Sequence, residues 1–165
     1  MKAFPFFKPV VVLPVFVAFL TGCVHAGPPA GRGMAEAARD QIHALFENHS
    51  KIRRTVTLTE AGYTSVTESD DPKVVKALQT HVTQMADRLE SGLMVRRWDP
   101  AFEEYVNHYK DMDHQFQRTD KGVRMAVKGR TADAAKVAQN HAAVISAFVA
   151  HGWEEHDRKH DPVVK

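Results

Sequence analysis

The sequence predicts an α+β fold in which a helix–strand–strand–helix unit occurs twice, giving a four-stranded antiparallel sheet with helices packed on it. Three observations predict it. Val74, Val75, Leu78, Val82, Met85 and Leu89 recur at helical spacing, so one face of that stretch is apolar. Polar and apolar residues alternate over residues 54–59 and 123–128, the pattern of a half-buried strand. The chain also matches itself without gaps at an offset of 60: Ile52 meets Met112, Val56 meets Phe116, Gly62 meets Gly122 and His81 meets His141. Helical stripes alone align by chance, but a shared order with a shared glycine-to-histidine spacing favours duplication.

Taken in order, a first helix is expected over residues 34–51, its inner stripe formed by Ala38, Ile42, Leu45, Phe46, His49 and Ile52. A strand over 54–59, rich in β-branched residues, leads through Ala61-Gly62 into a returning strand over 63–67. The second helix spans 71–89. Asp71 can cap its first turn, Pro72 suits the first helical position and Gly92 can end it. Trp98-Asp99-Pro100 starts a third helix with the stripe Phe102, Tyr105, Val106, Tyr109, Met112 and Phe116. A turn at 119–122 precedes a strand that turns Val123, Met125 and Val127 one way, and a fourth helix follows over 132–151. Residues 34–151 thus make one duplicated domain with halves 34–92 and 98–151, and 152–165 read as a polar tail.

The first 22 residues have a basic start, a short apolar run interrupted by Pro14, and small residues at the end. That is the pattern of a secretory signal, and the run is too short to span a bilayer as a helix. Leu20-Thr21-Gly22-Cys23 resembles the lipobox of bacterial lipoproteins. The resemblance implies cleavage before Cys23, lipid on that residue and a membrane anchor in the bacterial envelope. Val24 after it implies the outer membrane, facing the periplasm. Residues 23–33, with Gly27, Pro28, Pro29, Gly31 and Gly33, read as a flexible tether. The domain itself resembles an uncharacterised family of bacterial exported proteins sharing the patterns Thr67-Glu-Ser-Asp-Asp-Pro72 and Arg97-Trp-Asp-Pro100; this implies no activity.

Cys23 is the only cysteine, which excludes an internal disulfide, thiol catalysis and cysteine-ligated zinc once lipid occupies its sulfur. Loss of Lys2 and Lys8 with the signal leaves 20 basic against 20 acidic side chains, so no nucleic-acid surface is indicated. There is no phosphate loop, dinucleotide fingerprint, Gly-x-Ser-x-Gly, His-Glu-x-x-His or Cys-x-x-Cys-His. No catalytic residue is assigned, and an enzyme ranks third among the readings.

The candidate site residues are histidines on or beside the apolar stripes: His81 and His141, which align, and His49 and His108, which align within one residue. If the repeat brings them together they can ligate copper, zinc or the iron of non-covalent haem, with Met85 as a lesser ligand. The plainer reading is that each ring packs and hydrogen-bonds like any stripe-edge histidine. His156 and His160, one turn apart if helical, form a second metal candidate, but a solvated tail is the favoured account of them. Arg96 and Arg97 beside Trp98 are an anion-binding candidate. There too a plainer reading exists, with Trp98 packed inward and the arginines paired to Glu103 or Glu104. The function expected is a lipid-anchored carrier, buffer or sensor of a transition metal or haem. The alternative is a structural or interaction lipoprotein without cofactor.

Overall fold

The computed structural model describes residues 36–164. The segments read as a signal and a tether, with Cys23, lie outside them. Helix α1 (Glu36–Glu47) and a single 3-10 turn lead into β1 (Ile52–Thr59), β2 (Gly62–Ser69) and α2 (Pro72–Glu90). The second half runs α3 (Pro100–His108), a 3-10 turn, β3 (Met112–Thr119), β4 (Gly122–Gly129) and α4 (Ala132–His151), followed by the short α5 (Trp153–His156). The α+β class and both helix–strand–strand–helix units are as the sequence predicts, and both strand pairs keep the offset of 60.

The helix ends follow local chemistry. The Asp71 side chain accepts from the Lys73 amide, Asp99 from Ala101 and Thr131 from Ala134, each satisfying an amide that the first turn leaves free. The third helix departs from expectation. It stops at His108 instead of continuing to Phe116, because the chain from Met112 enters the sheet. Met112 and Phe116 satisfy both a helical stripe and a period of two, and the hydrogen bonds offered by β4 decide between them.

The sheet order is β1-β2-β4-β3, all antiparallel. At its centre Ser65 pairs with Met125, its own counterpart in the repeat, and the register runs symmetrically from Gly62–Lys128 to Glu68–Gly122. A pseudo-two-fold axis therefore passes between these strands. Bonds across the join come in matched pairs. Gln79 Nε2 donates to the Thr119 carbonyl at 2.8 Å and Gln139 Nε2 to that of Thr59 at 2.7 Å. The Ser69 amide donates to Lys121 and the Gly129 amide to Ala61. One pair is inverted in charge: Arg53 meets Asp70 in the first half, and Asp113 meets Arg130 in the second.

The helices cover one face of the sheet. Ile52, Tyr63, Met112 and Val127 point into that layer and pack against Val74, Leu78, Tyr105, Val137 and Ala138. Arg53, Thr64, Arg124 and Lys128 point to the other, exposed face. No helix among the described residues is long and apolar enough to cross a membrane.

The segment after residue 152, read as a polar tail, is mostly exposed but docked on the domain. Glu155 is buried, the His160 carbonyl accepts from the Ala101 amide, and the Glu104 carboxylate accepts the amides of Val163 at 2.9 Å and Val164 at 2.7 Å. Backbone amides and buried carboxylates dock this segment, together with Val164 against the main core and Trp153 against Phe46.

Candidate functional site

Between the covered face of the sheet and the helices lies a cavity of about 600 Å³, bordered by both long helices, α2 and α4, by α1 and α3, and by the loop before α3. Its size falls within the range of ligand pockets, about 300–1,000 Å³. The lining is mostly apolar: Ile42, Leu78, Val82, Met85, Ile145 and Phe148 among others.

His81 and His141, one from each long helix, both border this chamber. Burial away from bulk water lowers His81 to a pKa of about 4 and His141 to about 3, the latter helped by the positive charge of Arg54 and by His114. Both rings are therefore neutral at physiological pH and carry a lone pair that a metal can use. The Nδ1 of His81 is buried with no hydrogen-bond partner. His141 is fixed by rings instead: it stacks on Tyr105 with centroids 3.7 Å apart and meets Phe102 edge-on at 5.4 Å. Met85 lines the same chamber.

The other candidates separate. His49 reaches the chamber rim, but its Nδ1 lies 3.1 Å from the Val149 carbonyl. Its true counterpart is Tyr109, which also lines the chamber, and not His108. His108 is not among the lining residues and has its Nδ1 3.8 Å from an Asp111 oxygen. A one-residue misalignment is enough to carry a side chain off the inner face of a helix.

His156 and His160 do not share a helical face, because α5 ends at His156. His156 Nδ1 contacts Asp157 at 2.7 Å. His160 has both ring nitrogens engaged, Nδ1 with Asp99 at 2.7 Å and Nε2 with Glu155 at 3.0 Å. Among the described residues no three His, Cys, Asp or Glu side chains are grouped to hold a metal ion.

Arg96 and Arg97 both border the chamber. Arg96 lies 4.2 Å over the Trp98 ring and also faces Phe102 and Phe148, while its Nη2 donates to Asp99 and to the Arg158 carbonyl. Its partner is thus Asp99 and neither Glu103 nor Glu104, and Trp98 is 45% exposed rather than packed inward. Only Nη2 is so engaged: the buried Nε of Arg96 has no hydrogen-bond partner, and Arg97 is exposed at the rim.

Among the chamber residues that the sequence did not mark as site candidates are Arg54, Tyr63, Tyr105 and His114. The Tyr105 hydroxyl lies 2.9 Å from His114 Nε2, and His114 stacks on Tyr109 at 4.2 Å. Arg54 and His114 hold equivalent places in the repeat, each the third residue of an edge strand. Their signal was present as the alternations Ile52-Arg54-Val56 and Met112-His114-Phe116, which set a polar residue between two inward apolar ones. No protein-family model, curated protein or solved structure matches the chain.

Proposed function

We propose that this protein is a lipid-anchored envelope protein that binds non-covalent haem in its internal chamber, as a carrier, buffer or sensor. The observation that carries this reading is the pair of neutral imidazoles, His81 and His141, on opposite long helices around one apolar chamber. Haem brings four ring nitrogens of its own and needs only one or two protein ligands. A bare copper or zinc ion needs a fuller donor set, so the lack of a three-residue group among the described residues favours haem over an ion. The unpartnered Nδ1 of His81 leaves that ring nitrogen available as a ligand that would hold the iron. Met85 is a reserve sulfur ligand.

Titrating haemin into the purified chain tests the reading. The expected result is a saturable shift of the Soret band that His81→Ala/His141→Ala abolishes. No saturable shift, or one that the double substitution leaves intact, overturns it. The membrane anchor is tested separately: Cys23→Ala should move the protein from the membrane fraction to the soluble one.

The alternative, an interaction lipoprotein without cofactor, draws support from His49, His108, His156 and His160. His49, His156 and His160 each have an ordinary carbonyl or carboxylate partner that accounts for them, and His108 lies outside the chamber, 3.8 Å from an Asp111 oxygen.

A further inference from the structure

Arg54 stands on β1, on the face of the sheet that the helices cover, and lines the chamber. Its neighbours are neutral. Nη1 donates to Thr67 Oγ1 at 2.7 Å, Nε to Ser146 Oγ at 3.4 Å, and the Tyr63 hydroxyl is its third polar contact. Among the described residues no Asp or Glu side chain lies within ion-pair distance of it. Its desolvation is real enough to lower its own affinity for the proton. A guanidinium has five N–H donors in a planar fork, and three hydroxyls leave part of that fork unmet. A largely buried cation without a counter-charge is costly and is normally paired. Here Arg54 lines an apolar chamber.

We infer that the chamber takes a molecule with an apolar body and a carboxylate, and that Arg54 holds the carboxylate. The planar fork matches a carboxylate in two parallel hydrogen bonds. Tyr63, Thr67 and Ser146 surround the head, and Leu78, Met85 and Ile145 line the space for the body. The inference rests on the chamber being a ligand site and does not require that ligand to be haem. Two sources share this chemistry, a haem propionate and a long-chain fatty acid.

Two titrations of the purified chain separate them: haemin against haemin dimethyl ester, and a fluorescent long-chain fatty acid against its methyl ester. The free acid should bind at least tenfold tighter than the ester in whichever series binds, and that series names the source. In Arg54→Met and Arg54→Gln the two forms should bind alike, while Arg54→Lys recovers part of the preference. Equal binding of acid and ester to the wild-type chain overturns the Arg54 assignment and leaves the chamber reading standing, whether or not any variant folds. A preference that survives Arg54→Met also overturns it. Failure of all four probes to bind overturns both.

Discussion

His141 lies face to face with Tyr105, their planes 15° from parallel, while the Tyr105 hydroxyl meets His114 on β3. One aromatic ring thus orients a candidate ligand on α4 and ties it to an edge strand. Tyr105 is only 3% exposed and belongs to the main core. Tyr105→Phe should keep the stacking and lose the bond to His114, costing about 1 kcal/mol. Tyr105→Ala should cost about 3–5 kcal/mol and loosen His141 as well. Urea denaturation of both variants measures the difference.

Stability should depend on pH through the two chamber histidines. Their folded pKa values, about 4 for His81 and about 3 for His141, lie below the ordinary value of 6.5. Between those limits the unfolded chain binds protons that the folded chain refuses, so their contribution is fully present above pH 6.5 and is lost as pH falls toward 4 and then 3. Each ring contributes a slope of at most about 1.4 kcal/mol per pH unit within its window. Denaturation midpoints from pH 7 to pH 4 should fall steeply in the wild type and much less in His81→Leu/His141→Leu. A double variant as pH-sensitive as the parent would refute the assignment.

Gly62 and Gly122 open β2 and β4 at equivalent places. A Cβ on Gly62 would stand 2.1 Å from the Val127 carbonyl oxygen, and one on Gly122 would stand 2.0 Å from that of Thr67. Both obstacles are backbone of the opposite half, held in the sheet and unable to swing aside. Gly62→Ala and Gly122→Ala should therefore each destabilise by more than about 1 kcal/mol, by similar amounts. Thermal melts of the two variants should fall together.

The docked C-terminal segment makes its own prediction. Burial works to raise the Asp99 carboxyl, but His160 and Arg96 outweigh it and hold the group below its ordinary value. His160→Ala leaves Asp99, with a side chain 0% exposed, and Glu155 short of a partner. The expected loss is about 3 kcal/mol. Limited proteolysis should then cut after residue 152, where the wild-type chain resists.

Much of this architecture was legible because its signals are local. Caps at Asp71 and Asp99, the Gly62 and Gly122 turns and the constant offset all lie within a few residues of what they control. His81 and His141 were legible through the repeat. What escaped depends on partners far away in sequence. Residues 112–116 became strand because β4 offered an edge, and the segment beyond residue 152 docks on Asp99 and Glu104, about 60 residues upstream. Arg54 and His114 look like surface residues of a strand until helices cover that face. His108 was paired with His49 by position alone, and one residue of error was enough to put it outside the chamber.

The central pairing of Ser65 with Met125 has the form of an isologous contact between two identical subunits, here written into a single polypeptide. Two separate copies would be bound to carry the same group at both ends of their shared hollow. A single chain is free of that constraint, and the two equivalent places differ: an arginine at position 54, a histidine at position 114, both lining the chamber. The hollow thus presents unlike groups at two places that the repeat makes equivalent.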